Sequence, residues 1–379
     1  MDFTFTTEQR LMASSFRELA EAIGSPQQLR AAAEGCGNAA AAAGPADGAG
    51  TAAGAGTAAA AAAAESQSRW RQLAAIGIAG VLAPEPHGGM GLTDVDFVLI
   101  AEEAGHAALA EPLVEHAGVA IPALAELAGE RATVVLERAA AGQARVAVGH
   151  PVNPFVLEAD ASDYLLLAYG AEIHLLERER ASLIRQPSID PLRRLFKVEP
   201  VLHQATRIAT GPLAQQMTQR ILTRGSLYCA AQLLGLCARM IELAVAYARE
   251  RKQFGRPIGA AQAIKHQLAT AQVKLEFARP VLYAAAARAG SLDERSQAAI
   301  SHAKIAATDA ADFAARTALQ VHGAMGYSWE VDLHFYMKRA WALAGAWGDR
   351  GFHLRRLSDR LLEGTLPPGP GHTFEDVPT

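Results

Sequence analysis

The chain has 379 residues, 50% of them hydrophobic and 20% charged, with a formal net charge of −4. That apolar content supplies a large core and excludes global disorder, and roughly 150 residues per domain gives two or three domains. The absence of a basic excess argues against a nucleic-acid or anionic-membrane binder, and three cysteines (Cys36, Cys229 and Cys237) supply neither a disulfide framework nor paired zinc spacing.

The opening MDFTFTTEQRLMASSF lacks the basic start and apolar run of a signal peptide. Apart from alanine tracts, no charge-free stretch reaches the roughly twenty apolar residues of a membrane span, so a soluble cytoplasmic protein is expected. Residues 4 to 23 read as a helix that Thr7 can cap, with Leu11, Phe16, Leu19 and Ile23 at helical spacing. Residues 31 to 65 hold twenty alanines and seven glycines, a composition that predicts a flexible loop, although the alanine runs 39 to 43 and 58 to 64 have high helix propensity. Gly48, Gly50 and Gly54 superficially suggest a dinucleotide turn. Their spacing is wrong and no strand precedes them, so they are taken as compositional.

Trp70, Leu73, Ile76 and Ile78 lead into GVLAPEPHGGMGLTDVDF, whose prolines and glycines predict a surface loop. Asp94 to Gly105 reads as a helix, and residues 109 to 141 continue helical with Pro112 and Pro122 as boundaries or kinks. Residues 144 to 204 change to short β-branched or alternating runs, a small β region. From Gln215 the chain is helical again, with long segments ending near Gly255, Ala289, Met325 and Arg360. The predicted fold is mostly α with a small β domain. An N-terminal helical domain spans 1–143 with the Ala/Gly-rich insertion, a short middle β domain spans 144–214, and a four-helix bundle spans 215–379.

Two segments are more specific than composition: Tyr247-Ala-Arg-Glu-Arg-Lys-Gln-Phe-Gly-Arg-Pro-Ile-Gly-Ala-Ala-Gln262 and Leu319-Gln-Val-His-Gly-Ala-Met-Gly-Tyr-Ser-Trp-Glu-Val-Asp-Leu-His334. Both resemble the carboxyl-terminal domain of acyl-CoA dehydrogenases. TTEQRLM, WRQLAAIGIAGVLAPEPHGGMGL and EEAGHAALAEPLVE resemble the same family. The resemblance implies an α domain, a β domain and a tetramer-forming bundle, with FAD between subunits and an acyl-CoA oxidised at Cα–Cβ. In that chemistry a carboxylate takes the α proton, the β hydrogen leaves as hydride, and hydrogen bonds hold the thioester oxygen. By the same resemblance Arg251, Gln253, Phe254 and Gln262, with Gln320, Gly323 and Ala324, reach into a neighbour's flavin site. A guanidinium suits pyrophosphate, and small residues permit close backbone approach.

Three features depart from the family. The positions that carry the catalytic glutamate in its two arrangements are Trp347 and Gly225 here, and neither is acidic. The middle β region lacks the segments that contact the flavin ring. After Trp347 the chain reads Gly348-Asp349-Arg350-Gly351, which does not match. The losses fall on the chain's own ring-binding side, while the retained motifs lie on the side offered to a neighbour.

This asymmetry resembles the degenerate partner chains of actinobacterial heterotetrameric acyl-CoA dehydrogenases, and predicts a chain that completes FAD sites seated mainly on a catalytic sister subunit. Two alternatives stand beside it. One is a self-sufficient dehydrogenase, oxidase or desaturase with a relocated base such as Asp349, though a two-residue shift turns a side chain about 200° around a helix. The other is an acyl-CoA-binding scaffold without flavin. Glu330 and Asp332 read as helix-start carboxylates and Glu242 as a surface charge. His322 reads as packing at the turn or touching cofactor. His334, Tyr336, Lys338 and Arg339 read as a solvated helix face, with CoA phosphates or a partner as the alternative. Cys229 and Cys237 read as buried small residues. No metal site is expected, and the acyl chain is not legible.

Overall fold

The computed structural model describes residues 4–42, 52–127, 129–291, 293–366 and 369. Gly48, Gly50, the middle of the Ala/Gly-rich stretch, Leu292 and nearly all of the tail beyond Leu366 lie outside them.

Helix α1 (Thr7–Ile23) begins with a capping box one residue earlier than the sequence suggested. Thr6, not Thr7, is the cap: the Gln9 N–H donates to Thr6 Oγ1 (3.2 Å), and the Thr6 N–H donates to Gln9 Oε1 (2.9 Å). The expected loop over 31–65 is corrected. Its described residues belong to α2 (Pro26–Ala42) and α3 (Ala52–Ala75), where intrinsic alanine propensity and the buried anchors Leu29, Trp70 and Leu73 at the outer ends prevail. Helix α4 (Asp94–His106), a π-helical segment (Val114–Ala120), α5 (Ile121–Glu126) and α6 (Glu130–Ala140) follow.

Seven short strands then form two sheets. β1 (Val146–Gly149), β3 (Tyr164–Tyr169), β4 (Glu172–Glu177) and β7 (Arg207–Thr210) run in the order β1-β3-β4-β7, with β1 and β3 parallel and the other pairs antiparallel. β2 (Val156–Leu157), β6 (Leu195–Pro200) and β5 (Ala181–Gln186) form the second, antiparallel sheet. Side chains in a strand alternate between faces. Leu166, Ala168, Ile173 and Leu175 therefore join the helical core, while Leu165, Leu167 and Leu176 pack with Phe196 and Val156 in a separate small core.

The bundle is built on α7 (Gly211–Glu250), which at 1.5 Å per residue is about 60 Å long. By length and composition α7 could cross a membrane, but 67% of its most apolar window is buried inside the protein, so its apolarity serves the core. It packs against α4 at backbone distance: a Cβ on Gly235 would stand 1.8 Å from Glu102 O, and one on Gly105 would stand 2.1 Å from Gln232 O. α8 (Gln262–Arg288) and α9 (Glu294–His322) lie alongside α7, and α10 (Leu333–Gly345) and α11 (Arg350–Leu362) close the domain. Cys229 and Cys237 are buried on α7.

The expected solvated face of α10 is corrected. His334, Tyr336 and Arg339 are buried. Arg339 is ion-paired with the fully buried Asp190 from the turn before β6, and it donates to Leu109 O at 2.7 Å. This buried pair ties α10 to the β region and to the segment after α4. Glu242 is exposed, as expected of a surface charge, and its carboxylate meets the buried His106 imidazole at 2.9 Å.

Four imidazoles, His116, His150, His334 and His353, are pushed down from 6.5 to about 4, first by burial. The folded chain keeps them neutral where the unfolded chain binds protons. Their contribution is whole above the unfolded value and is lost as pH falls towards 4. Urea unfolding should show a lower midpoint at about pH 5 than at about pH 7.5. Equal midpoints would mean that these rings titrate as free ones.

Candidate functional site

Gly225 and Trp347, the two positions at which the sequence resemblance leads one to expect a base, meet in space. Gly225, in the middle of α7, faces the indole of Trp347, and a Cβ on Gly225 would lie 2.3–2.6 Å from the ring carbons Cδ2, Cε3 and Cε2. Trp347 is 3% exposed and has φ +58, a left-handed conformation unusual for a bulky side chain. The volume beside Gly225 is therefore filled by carbon.

The loop between α10 and α11 is held in this position from four sides. Asn153 Oδ1 accepts from the Trp347 N–H (2.8 Å). The Ser226 hydroxyl donates to Trp347 O (3.0 Å). His353 Nε2 donates to the same carbonyl (3.0 Å), so its Nδ1 accepts from the Ser301 hydroxyl (3.2 Å). The fully buried Lys304 on α9 donates from Nζ to Leu343 O (2.8 Å) and Ala344 O (3.4 Å) in the last turn of α10, and burial lowers its pKa. The backbone strain at Trp347 persists because its surroundings over-determine it.

Asp349 does not share this buried space. It is exposed and caps α11, accepting from the Phe352 N–H at 2.7 Å. A cavity of about 150 Å³ opens beside Trp347, lined by Val148, Asn153, Phe155, Leu195, Glu115 and Arg193 among others. Its one bordering carboxylate, Glu115, stands 3.9 Å from Arg193, and both side chains are nearly buried. Sequence reasoning missed Ser226, Lys304, His353 and Glu115. A lysine in an apolar helix face, Ala303-Lys304-Ile305, was the one available signal.

The other group of expected residues lies at the opposite kind of surface. After α7, β8 (Lys252–Gln253) and β9 (Arg256–Pro257) form a hairpin whose turn residues, Phe254 and Gly255, have φ +51 and +77. Two positive φ values are what a tight two-residue hairpin demands. Phe254 is 101% exposed, a large apolar ring held in a strained conformation with nothing of its own chain over it. Arg251, Gln253 and Gln262 are exposed around it, and among the described residues no carboxylate pairs with Arg251. Gln320, Gly323 and Ala324 are also exposed, at the end of α9 and the turn that follows. The two segments are joined by Tyr247, whose ring stacks on His322 with centroids 4.3 Å apart. His322 is buried, its Nδ1 meets Ala318 O at 2.8 Å, and burial lowers its pKa, so it packs the turn.

Of the remaining carboxylates, Asp332 pairs with Arg30 of α2 at 2.8 Å, and Glu330 is exposed.

The Gly225–Trp347 contact can be tested. Gly225→Ala should destabilise the chain by about 1–3 kcal/mol through overpacking. The same change in a Trp347→Leu background should cost clearly less, since the two sites share one volume. Additive effects in denaturant unfolding would deny the contact.

A family model described as the acyl-CoA dehydrogenase C-terminal domain matches residues 214–362, and one for the N-terminal domain matches residues 51–153. The chain is 32% identical over 294 residues to acyl-CoA dehydrogenase IpdE2 of Mycolicibacterium smegmatis, covering 77% of this chain and 88% of that protein. It is 31% identical over 300 residues to IpdE2 of Mycobacterium tuberculosis, covering 78% and 87%. Among solved structures, a chain of the ChsE4-ChsE5 complex from Mycobacterium tuberculosis superposes with a TM-score of 0.76 at 22% identity, over 97% of this chain and 100% of that one. Butyryl-CoA dehydrogenase from Megasphaera elsdenii superposes with a TM-score of 0.77 at 19% identity, over 96% and 100%. With both terminal domains matched and the helical, small-sheet fold shared, the chain belongs to the acyl-CoA dehydrogenase family.

Proposed function

We propose that this chain is the non-catalytic partner in a heteromeric FAD-dependent acyl-CoA dehydrogenase, completing a flavin site seated mainly on a catalytic sister subunit. The observation that carries this reading is the filled base position: Gly225 and Trp347 occupy each other's space, and neither is acidic. A buried base must stand within hydrogen-bond reach of the proton it takes. At this place the chain offers an indole, and the one carboxylate lining the adjoining cavity, Glu115, faces Arg193 at 3.9 Å.

The donated side fits the family cofactor. Phe254 and Arg251 project from the end of α7, and the two motif segments are locked together by the Tyr247–His322 stack. Arg251 would pair with the pyrophosphate, Phe254 would pack on a planar face, and Gln253, Gln262 and Gln320 would hydrogen-bond from their amides. Gly323 and Ala324 would let backbone approach closely. When bound, FAD supplies the electron acceptor for α,β-dehydrogenation of the acyl-CoA. The fold likeness to a chain of a two-protein complex, ChsE4-ChsE5, is consistent with a heteromer, as is the strained, uncovered Phe254. The second reading, a self-sufficient dehydrogenase or oxidase using Asp349, has a carboxylate but places it in a helix cap.

Purification alone and with its sister chain decides between them. Alone, the chain should be colourless and inactive. With the sister chain it should form a flavin-containing complex of equal stoichiometry. In that complex Arg251→Ala should weaken flavin retention about tenfold or more, the loss of one charge-assisted contact. Asp349→Asn preserves the cap and should leave turnover unchanged. A yellow homotetramer that oxidises acyl-CoA, or loss of turnover in Asp349→Asn, would establish the second reading instead.

A further inference from the structure

A second cavity, of about 180 Å³, opens between the turn after α9 and the first half of α10. Its walls are largely carbon: Leu319, Tyr327, Trp329, Met337 and Trp341. Tyr327 and Trp329 stand at the surface, 79% and 63% exposed, so the mouth is aromatic.

One polar side chain in this cavity has no counterpart. His334 is 7% exposed, and neither of its ring nitrogens has a hydrogen-bond partner among the described residues. Leaving a buried polar group unpaired costs about 1–3 kcal/mol, and native chains seldom do so without use. Trp329 and Phe335 fix the imidazole, with ring centroids 4.3 and 4.0 Å away. Beside it, Lys338 Nζ lies 4.0 Å from the centre of the Trp329 ring. Asp190, whose charge reaches Lys338, is already committed to Arg339.

The cavity thus has aromatic walls and a donor end. A neutral imidazole offers one N–H, and the ammonium offers a full charge with three more. The complementary ligand has a flat apolar body and an anionic oxygen end. A purine edge would leave the lysine without an anion, and an aliphatic acid would leave the indoles unused. An apolar cavity of about 150 Å³ accepts benzene, so this one has room for one ring and a carboxylate. We propose that this cavity binds a small aromatic carboxylate, its ring among Trp329, Trp341 and Met337 and its carboxylate on His334 and Lys338. The cavity adjoins the segment that carries Gln320, Gly323 and Ala324, but none of the residues proposed to contact flavin lines it.

Benzoate is the probe. Titrated into the full chain and followed by tryptophan fluorescence and saturation-transfer NMR, it should bind saturably. Benzyl alcohol, with the ring but no charge, and propionate, with the charge but no ring, should each bind at least about tenfold more weakly. Lys338→Met keeps the aliphatic stem on a half-buried residue and should weaken benzoate about tenfold, as should His334→Phe, with folding checked by circular dichroism. Absence of saturable benzoate binding overturns the proposal, as does equal binding of benzyl alcohol or undiminished binding by the folded Lys338→Met variant. If the complex with the sister chain no longer takes up benzoate, the cavity is filled by that chain and the ligand assignment falls. None of these readouts uses flavin, so their failure is distinct from failure of the partner-subunit reading.

Discussion

The contact between Trp347 and Gly225 sets the character of this molecule. Only a residue without Cβ leaves room on α7 for an indole at that height. Only a residue as large as tryptophan fills the space where α7 faces the α10–α11 loop. Around the pair, Asn153, Ser226, His353 and Lys304 saturate the loop's polar groups from four separate elements. Buried backbone groups must be satisfied, and here they are satisfied in a way that fixes the ring inward. This place is part of the chain's core.

The opposite end of α7 is built on other terms. The Phe254–Gly255 turn accepts left-handed strain at a phenylalanine and leaves that ring wholly in solvent. Strain of this kind costs on the order of 1–3 kcal/mol and gains nothing within the chain. The cost is intelligible when the ring is used against another molecule. The stretch of α7 around Gly225 is thus covered by its own chain and the C-terminal end is not, and the Tyr247–His322 stack ties that end to the end of α9. Preorganised donors bind at lower entropic cost than flexible ones.

Much of this was legible in the sequence, and the parts that were not share a physical cause. Long helices announced themselves by periodicity, and the β region by alternation, because burial there follows a single element's own repeat. The Ala/Gly-rich stretch misled because composition argues for disorder, whereas helix α3 draws its stability from Trp70 and Leu73 far from the alanines. The α10 face misled because Arg339 finds Asp190, 149 residues away in sequence, and no local pattern reports a long-range buried pair. Counting along the family motif placed Gly225 and Trp347 each at a base position. That they touch, and that Lys304 and His353 brace the loop behind them, required the fold.

The mutual filling also bears on whether either position could take a carboxylate by one substitution. Trp347→Glu would remove an indole from a packed volume and set a carboxylate in its place. The nearby ring of His150, centroid 5.9 Å away, is held neutral by burial and would offer no charge to it. The amine in that region, Lys304, is spent on the carbonyls of α10. Glutamate at position 225 would meet the indole itself. Either substitution therefore creates a cavity with an unpaired charge or a collision, penalties of several kcal/mol against a folding margin of about 5–15 kcal/mol. The two positions are complementary to each other, so packing rather than chemistry decides what either of them can hold.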